Sequence, residues 1–561
     1  MTAVPDPAGE DRTALGRGRY RFGGSVLTHP ARGDAGARVA AQGPPGLLRV
    51  VVDPWPDGPP TALRTAIAAW ASVPAGHTHH LVLQDDMRLA DGIWDRVLDA
   101  IEAAPDAALA LFANGDSRNG AMVRIGALQG DRWVPAVGEY TPCAALVLPR
   151  EIALGYARAA DDQRADGWPD DILMQRFLRT AGVRCLIAVP NLAEHEDGPS
   201  IAGNAFRGPR RSACFLPVAP PGPPRIMPEP PWLVPFLKNG VAQCLERAAD
   251  GTWLHLETEA RLRLRGAPPA HGLTPEEHGV WLTAHALGLL SRSAPSRPGT
   301  PSGPGPAVPG PSSHPASSAT EDAAGMDAAG MDAAAAEALR TIGPGGVSQR
   351  PGAPLGADDL RRLADLAVRA VGAGRTGPLR PPAPSRAVVL RHDGDSRTAH
   401  LPAYLAAFLA EDGIAVTFAE DGADLNHIDA DLYGPGCGPG EAVGTLVWQA
   451  LRSRPILLTD DQPALIRPLH VRDVARILAR GGGQEPVPAY PLEVFAHAVA
   501  RAVRPVPVRD LRRGRARAAA PRVVDTELGF RLHHYAQWLA YEWRGGVAPV
   551  TRTSAGEPSA R

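Results

Sequence analysis

The stretch HTHHLVLQDDMRLADG, residues 77–92, carries the strongest information about the fold. Its apolar run LVL at 81–83 predicts a buried strand, and two adjacent carboxylates, Asp85 and Asp86, follow almost at once. In an open α/β sheet, ligands bind beyond the carboxyl ends of the strands, and carboxylate oxygens suit Mg²⁺ or Mn²⁺. The pair therefore predicts a divalent-metal site or, as the alternative, a surface turn that starts the next helix.

Two flanking segments extend this pattern. Residues 47–70, LLRVVVDPWPDGPPTALRTAIAAW, predict a buried strand, a Pro/Gly turn and an amphipathic helix, with Asp53 directly after the strand. Residues 167–200 contain GWPDDILMQRFL, in which Asp170 and Asp171 begin a helix after a proline. Their alternative role is to cap that helix without any chemistry.

The segment 46–205 resembles bacterial nucleotide-sugar glycosyltransferases of the GT-A type. LVLQDD is similar to the acidic metal-binding motif of that family, with Gln84 at the first acidic position. The resemblance implies an α/β domain with a mixed sheet flanked by helices. It also implies roles for residues: Asp171, or else Asp170, as the catalytic base, Asp53 and Asp85 in donor binding, and Asp86 and His195 as ligands of Mn²⁺ or Mg²⁺.

His195 follows a predicted strand, CLIAVP, and resembles the late metal ligand of the family. An isolated surface histidine is the simpler alternative. If His195 is a ligand, its side chain should lie within about 8 Å of Asp86, near enough to share one ion. The intervening residues 112–149 match the acceptor site of the family, with Trp133, Glu139 and Tyr140 as candidate contacts to a sugar or hydroxyl group, or else as ordinary packing and surface residues.

A second resemblance covers residues 386–545 and is to the extended short-chain dehydrogenases that epimerise or dehydrate nucleotide sugars. It implies a smaller Rossmann-like α/β domain. Catalysis in that family uses a Tyr-x-x-x-Lys pair, yet the single lysine of this chain is Lys238, outside the segment. Residues 391–395, RHDGD, stand where the family has glycines that approach the cofactor diphosphate. We therefore expect a non-catalytic domain that binds no NAD(P), in which Arg467 and His470 could bind an anion or form a solvated strand edge.

A G-x-G-x-x-G pattern begins at Gly372, but it follows a helical pattern and not a strand, so it does not predict a dinucleotide site. Composition predicts the remaining organisation. The expected parts are a flexible leader (1–45), the glycosyltransferase-like domain (46–215), a Pro-rich connector and helical region (216–291), a disordered linker (292–356), the dehydrogenase-like domain (357–548) and a flexible tail (549–561). Within 216–291, helical patterns occur around VPFLKNGVAQCLERA and EEHGVWLTAHALGLL.

The net charge is −2, so composition gives no case for nucleic acid or a membrane surface as a partner. No window is apolar enough for a membrane span, and the first twenty residues lack the apolar core of a signal peptide. The five cysteines are scattered, which favours a reduced, cytoplasmic setting. The 58 basic residues are arginines apart from Lys238, a bias typical of GC-rich coding, so arginine content here does not indicate phosphate binding.

Three functions are compatible with these patterns. The first is a metal-dependent glycosyltransferase that takes a nucleotide-sugar donor and an unknown acceptor, with the C-terminal domain as an accessory for docking or for assembly of a homo-oligomer. The second is a non-enzymatic scaffold or regulator of a sugar-modification pathway. The third, an NAD-dependent epimerase or dehydratase, is disfavoured by the missing lysine.

Overall fold

The computed structural model is a mixed α/β protein. It describes residues 14–164, 167–196, 210–248, 253–264, 272–292, 332–347, 355–376, 386–391, 401–411, 413–418, 423–424, 430–480, 487–512 and 526–543.

An eight-stranded mixed sheet organises the N-terminal part. Its strands are β1 (Leu15–Arg17), β2 (Tyr20–Thr28), β3 (Leu48–Val52), β4 (His79–Gln84), β6 (Ala108–Ala110), β7 (Trp133–Pro135), β8 (Ala145–Pro149) and β9 (Cys185–Ala188). The order is β1-β2-β4-β8-β6-β9-β7, and β3 pairs with β2. A separate two-stranded sheet joins β5 (Met87–Leu89) to β10 (Ala193–His195).

The direction of the strands brings the carboxyl ends of five of them to one edge of the sheet. Strand β2 is parallel to β3 and β4, and β6 is parallel to β9. Strand β8 alone separates these two groups, and it runs antiparallel to both β4 and β6. The carboxyl ends of β2, β3, β4, β6 and β9 therefore all lie at the same edge, together with the amino end of β8.

Both faces of the sheet are covered, so β6, β8 and the LVL segment of β4 carry apolar residues on both faces. Leu81 and Leu83 of β4 pack into one apolar cluster, while Val82 between them packs into another, as the two-residue period of a strand requires. The helices of this part are α1 (Ala35–Ala40), α2 (Leu63–Ala71), α3 (Ile93–Ala103), α4 (Arg118–Gln129), α5 (Arg150–Asp162) and α6 (Asp170–Thr180).

The expectation of a flexible leader over residues 1–45 is wrong for the part from Leu15 onward. Strand β2 lies inside the sheet, between β4 on one side and β1 and β3 on the other, and most of it is buried. Its sequence YRFGGSVLT contains two glycines, which are depleted in strands. Gly24 is nevertheless required, because a Cβ there would lie 2.6 Å from the carbonyl oxygen of Leu81 on the neighbouring strand.

The strand β3 was expected to be buried, and this is also wrong. It is an edge strand, and Val50 and Val52 are exposed. The run LLRVVV has the continuous apolar character of a buried parallel strand, so sequence alone misassigned its place in the sheet.

A three-stranded antiparallel sheet occupies residues 233–257, where a helical pattern was predicted around VPFLKNGVAQCLERA. Strands β11 (Leu233–Lys238) and β12 (Val241–Arg247) form a hairpin, and β13 (Trp253–Glu257) adds to β12. Both turn residues, Asn239 and Gly240, have positive φ, at 53° and 73°. An Asn-Gly pair is the preferred two-residue hairpin turn, because both positions need a left-handed backbone.

The helical prediction for EEHGVWLTAHALGLL is confirmed. Helix α8 (Pro275–Arg292) follows α7 (Thr258–Leu264). The disordered linker, however, was expected to run from residue 292 to 356, and residues 333–347 within it form two helices. Helices α9 (Ala333–Arg340) and α10 (Ile342–Val347) lie within it, with Ala338, Leu339 and Ile342 buried. Alanine-rich sequence is low in complexity, yet alanine is the best helix former.

Helix α11 (Ala357–Thr376) packs along α8, which joins it to the middle region and not to the C-terminal domain where it was expected. The two helices cross closely at Gly374, where a Cβ would lie 2.1 Å from the carbonyl oxygen of His285. Gly372 and Gly374 are therefore interior helix residues, which confirms that the G-x-G-x-x-G pattern does not follow a strand. Gly377 lies outside the described residues.

The C-terminal part begins with a parallel β-α-β unit, as its sequence indicated. Strand β14 (Arg386–Arg391) pairs with β15 (Ile414–Phe418) and β16 (Ala423–Asp424), and α12 (Leu401–Glu411) connects β14 to β15. The acidic loop after β14 lies outside the described residues. The elements that follow are β17 (Asp431–Tyr433), α13 (Ala442–Leu451), β18 (Ile456–Leu458), β19 (Leu465–Ile466), β20 (Pro468–His470), α14 (Val471–Ala479), β21 (Tyr490–Pro491), α15 (Leu492–Ala502), β22 (Val508–Asp510) and α16 (Thr526–Tyr541).

Beyond the β14 unit, the described strands of this part pair only two by two: β17 with β20, β18 with β22, and β19 with β21. Helix α16 reaches back to the N-terminal part, where the Arg179 guanidinium of α6 donates to the carbonyl oxygen of Tyr541 at 2.8 Å. The five cysteines are free thiols. In the described parts of the chain, no helix combines the length and apolar character needed to cross a membrane.

Candidate functional site

The carboxyl-end edge of the sheet gathers polar side chains from three neighbouring strands. Thr28 ends β2, Asp53 follows β3, and Asp85 and Asp86 follow β4. A 3-10 turn, Pro30–Arg32, comes directly after β2 and passes over the same edge. This is the position at which open α/β sheets bind ligands.

Arg32 bridges the two carboxylates of the acidic pair. Its Nη2 lies 2.9 Å from Oδ1 of Asp85 and 2.8 Å from Oδ2 of Asp86, and its Nε donates to Oδ1 of Asp85 at 3.1 Å. Burial acts to lower the pKa of the Arg32 guanidinium, but its bonds to Asp85 and Asp86 outweigh burial and raise that pKa. Arg32 therefore stays charged, and two carboxylates against one guanidinium leave one negative charge in excess.

The two carboxylates differ in how much of their bonding capacity the protein uses. Both oxygens of Asp85 are engaged, because the Thr28 hydroxyl donates to Oδ2 at 2.5 Å. For Asp86, Oδ2 faces Arg32, whereas Oδ1 is buried and receives no hydrogen bond from the described residues. A buried carboxylate oxygen without a donor is costly unless a cation or a proton satisfies it.

His195 lies beside Asp86 although 109 residues separate them in the sequence. Its Nε2 is 3.4 Å from Oδ2 of Asp86, so the predicted proximity is confirmed. The sheet β5-β10 produces this contact by pairing His195 with Met87, and the N–H of Glu196 donates to the carbonyl oxygen of Asp86 at 2.7 Å. The carboxylate of Glu194 fixes β10 from the other side by accepting two bonds from Ser212.

These residues offer a divalent ion two protein donors, namely Oδ1 of Asp86 and the imidazole of His195. Within the part of the chain that the structure describes, no group of three or more His, Cys, Asp or Glu side chains is placed to hold a metal ion. A metal here would take its other ligands from substrate oxygens and water, a set that suits Mn²⁺ or Mg²⁺. The excess negative charge of the pair and the unsatisfied oxygen of Asp86 fit such an ion.

Asp53, expected to contact the donor nucleotide, is instead paired within the chain. Both of its oxygens accept from Arg64, at 2.6 Å from Nε and 2.8 Å from Nη2, and the N–H of Trp55 donates to Oδ1 at 3.0 Å. Burial acts against the charge of Asp53, but these bonds prevail and lower its pKa. The carboxylate is buried and anchors the loop after β3, so it presents no oxygen that is unused by the protein.

Asp170 and Asp171 begin helix α6 as expected, and they face different surroundings. The Tyr156 hydroxyl donates to Oδ1 of Asp170 at 2.6 Å, and burial raises the pKa of Asp170 to about 6. Asp171 accepts from the N–H of Ile172 at 2.8 Å, and its carbonyl oxygen accepts from the N–H of Thr141. Asp170 thus bonds into the packing between helices α5 and α6, whereas the one side-chain bond found for Asp171 within the described residues comes from its own helix.

Helix α6 begins at the same edge of the sheet as the acidic pair. Thr141, which contacts Asp171, lies a few residues before β8, and the carbonyl oxygen of Ala144 accepts from the N–H of Gln84 at 2.8 Å. The loop 139–144 therefore connects the beginning of α6 to the end of β4, which places Asp171 on the side of the sheet that carries Asp85 and Asp86.

Of the three acceptor candidates, only Tyr140 keeps a partly exposed side chain. Trp133 is fully buried in the core around β7, so it does not reach a surface that an acceptor could contact. Glu139 is also buried and accepts from the N–H of Asn119 at 2.9 Å, which caps helix α4, and burial raises its pKa. Tyr140 packs beside Tyr541 of α16, with 6.5 Å between ring centroids.

A buried polar cluster next to this loop was not predicted. Arg118 donates from Nη2 to Nδ1 of His255 at 2.9 Å and from Nη1 to Oε1 of Glu542 at 3.1 Å. The single lysine, Lys238, is buried beside Asp116, with 3.4 Å between Nζ and Oδ2. These pairs join α4, the β11-β13 sheet and the end of α16, so their evident role is to hold the C-terminal part against the N-terminal one.

In the C-terminal part, His470 lacks the positive charge that the candidate anion site would need. His470 is buried, accepts from the N–H of Arg472 through Nδ1, and so caps helix α14. Burial lowers its pKa far below the usual value, which keeps the ring neutral. Arg467 is exposed, and its backbone N–H donates to Asp431. A neutral capping histidine offers no positive charge to an anion.

The side chains of the candidate site that the sequence did not predict are Thr28, Arg32 and Arg64. Arg32 gave no usable signal, because 57 arginines occur in the chain and none stands out by its spacing. A scan against protein-family models and a search of curated proteins found no match to this chain.

Proposed function

We propose that this chain is a metal-dependent glycosyltransferase that transfers a sugar from a nucleotide-sugar donor to an acceptor hydroxyl. The observation that carries the proposal is the convergence of Asp86, His195 and the Arg32-bound Asp85 at the carboxyl edge of a mixed sheet. Strand β8, which runs antiparallel to both of its neighbours, lies next to β4 in this sheet, which is consistent with the GT-A-like arrangement that the sequence resembles.

In this proposal, Asp86 and His195 hold Mn²⁺ or Mg²⁺. When bound, the ion would neutralise the charge that develops on the leaving diphosphate. Arg32 and Thr28 occupy both oxygens of Asp85, so that the oxygen left for an ion is Oδ1 of Asp86. Pre-positioned ligands lower the cost of ordering the site when the donor binds.

Asp171 is the proposed general base, which removes the proton of the acceptor hydroxyl as that oxygen attacks the anomeric carbon of the donor sugar. It stands in the first turn of α6, where backbone N–H groups and the helix dipole favour a carboxylate. Asp170 is less suited to this role, because its Oδ1 already accepts from Tyr156.

The test is an assay of nucleoside diphosphate release from uridine-, guanosine- and thymidine-diphosphate sugars by the full-length chain with Mn²⁺. Release should need the metal and should be lost in Asp86→Asn. The matched control is Asp34→Asn, at an exposed aspartate of the same edge that pairs with Arg38, and it should leave release unchanged.

A second candidate, a non-enzymatic scaffold of a sugar-modification pathway, is favoured by one observation. Both oxygens of Asp85 and both oxygens of Asp53 are bonded within the chain. If the acidic pair is purely structural, none of the nucleotide sugars should bind, with or without metal. NAD(P) is not expected to bind in either case, because RHDGD, residues 391–395, replaces the glycines that approach the cofactor diphosphate and the Tyr-x-x-x-Lys pair is missing.

A further inference from the structure

Trp55 is a large apolar side chain that the fold leaves 60% exposed. It lies in the loop DPWPDGPP, two residues after Asp53, at the carboxyl end of β3. Tryptophan is on average highly buried, because its large apolar surface is costly to leave in water. One exposed side chain alone needs no explanation, so the argument depends on how the protein holds this one.

The loop around Trp55 is fixed from several sides. The N–H of Trp55 donates to the buried carboxylate of Asp53, and its carbonyl oxygen accepts from the N–H of Gly58 at 3.0 Å. Arg64, which clamps Asp53 with two nitrogens, also donates to the carbonyl oxygen of Pro59 at 2.6 Å. His29, just before the 3-10 turn, lies within hydrogen-bond distance of the carbonyl oxygen of Pro56, at 3.1 Å.

The indole ring has neighbours in Gly58 and Arg64, while Trp55 as a whole stays 60% exposed. A Cβ on Gly58 would lie 2.6 Å from Cδ2 of Trp55, so the glycine backbone packs directly against the ring. The guanidinium of Arg64 is 5.8 Å from the ring centroid. Prolines on both sides of Trp55 further restrict the backbone. The buried ion pair of Asp53 with Arg64 and the contact with Gly58 thus hold a loop that leaves the aromatic side chain of Trp55 exposed to solvent.

The order of the strands determines how far the Trp55 loop lies from the acidic pair Asp85-Asp86. Strand β2 lies between β3, which precedes Trp55, and β4, which precedes Asp85 and Asp86. Two strand spacings amount to about 10 Å, a separation comparable to the span from the base to the diphosphate of a nucleotide. The 3-10 turn bridges the gap, because His29 contacts the Trp55 loop and Arg32 contacts the acidic pair.

We propose that Trp55 is the stacking platform for the base of a nucleoside diphosphate whose phosphates lie at Asp86. This inference rests on the proposed function and specifies its donor site. It also reassigns Asp53, which holds the platform and does not bind the base. Stacking uses the face that every base has and is tolerant of base identity. The site therefore discriminates weakly among bases compared with one that reads a base edge through a carboxylate.

A competing occupant is a second copy of this chain, since Val50 and Val52 on the edge strand β3 are also exposed. The stacking proposal is favoured because His29 and Arg32, at the two ends of one short turn, contact the Trp55 loop and the acidic pair respectively. The two occupants predict different effects of removing the ring.

The experiment measures, by calorimetry on the full-length chain with Mn²⁺, the affinities for uridine diphosphate, guanosine diphosphate and inorganic pyrophosphate. Trp55→Ala should weaken both nucleotides by roughly 5- to 150-fold, the equivalent of the about 1–3 kcal/mol that stacking of a base contributes. Pyrophosphate affinity should not change, and Trp55→Phe should restore most of the loss. Leu511→Ala, at a similarly exposed residue of the C-terminal part, is the matched control and should have no effect.

Three results overturn the inference, and they differ in what else they affect. If Trp55→Ala binds nucleotides as tightly as the parent chain, Trp55 is not the platform, while the proposed function stands. If Trp55→Ala instead converts a dimer into a monomer in sedimentation analysis with nucleotide affinity unchanged, the ring belongs to an interface between copies. If the parent chain binds neither nucleotides nor pyrophosphate, the proposed function fails and this inference fails with it.

Discussion

Replacing Arg32 by glutamine perturbs the candidate site at its most connected residue. The guanidinium makes three contacts of 2.8–3.1 Å with Asp85 and Asp86, and its side chain is only 16% exposed. Glutamine is shorter and carries no charge, so the substitution leaves two adjacent, largely buried carboxylates without a counter-ion.

The expected cost follows from that geometry. Removing one partner of a buried ion pair typically destabilises a protein by about 3–5 kcal/mol, because the remaining charge is desolvated without compensation. For a domain of 150–250 residues, a loss of 1 kcal/mol lowers the melting temperature by about 2–4 °C. The Arg32→Gln chain should therefore show its N-terminal melting transition about 6–20 °C lower at neutral pH.

Differential scanning calorimetry with and without Mn²⁺ measures the effect. Mn²⁺ should stabilise Arg32→Gln more than it stabilises the parent chain, because the variant site has an additional uncompensated negative charge and a ligand stabilises the folded state more when it binds more tightly. The control is Arg38→Gln, whose ion pair with Asp34 is exposed, with side-chain exposures of 65% and 75%. Exposed pairs contribute at most about 1 kcal/mol.

An Arg32→Gln chain that melts with the parent chain would show that the guanidinium does not bridge the carboxylates in solution. Equal stabilisation of both chains by Mn²⁺ would show that the ion binds elsewhere. Either result would remove the charge argument on which the metal site depends.

Three further predictions concern other parts of the molecule. Asp171→Asn should reduce turnover by about 10²- to 10⁴-fold, the usual effect of losing a general base, while donor affinity and melting temperature stay near those of the parent; turnover at the parent rate would exclude this role. Burial lowers the pKa of His255 well below its usual value and that of His534 to about 3, so these rings stay neutral in the fold but bind protons when unfolded below pH 6.5. The free energy of unfolding should therefore decrease as the pH falls from 6.5 toward 3, and at pH 5.5 the decrease should be about 1.4 kcal/mol for each ring. A melting temperature that does not change between pH 7.5 and 5.5 would contradict this. Gly374→Ala should destabilise the α8-α11 pair by about 1–3 kcal/mol through overpacking. Gly372→Ala on the same helix, where an added Cβ meets nothing within 4 Å, should be neutral or should stabilise the protein by up to about 1 kcal/mol. Equal melting temperatures for the two variants would refute the close crossing.

The sequence predicted the part of the site that depends on local pattern. An apolar run followed by two acids identified the end of β4, and a proline before two acids identified the beginning of α6. The proximity of His195 to Asp86 was also predicted, although it came from the resemblance and not from spacing.

The errors arose where long-range contacts override local preference. Strand β2 contains Gly24 because a neighbouring backbone approaches closely, and that approach cannot be read from the strand itself. The bridge made by Arg32 depends on the closure of β2 against β4, so no local pattern distinguishes it from the other arginines. The Asn239-Gly240 turn is different, because the sequence itself carries the hairpin signal, and that signal overrides the helical periodicity of the segment around it.

The central claim is that Asp86 and His195 bind a divalent ion together with the diphosphate of a donor. The most direct measurement is the affinity of the full-length chain for uridine diphosphate by calorimetry, with Mn²⁺ and with a chelator, in the parent chain, Asp86→Asn and His195→Gln. The account predicts binding by the parent chain that requires Mn²⁺ and that is weakened at least tenfold in each variant. Binding that is independent of Mn²⁺, or that is unchanged in both variants, would contradict it.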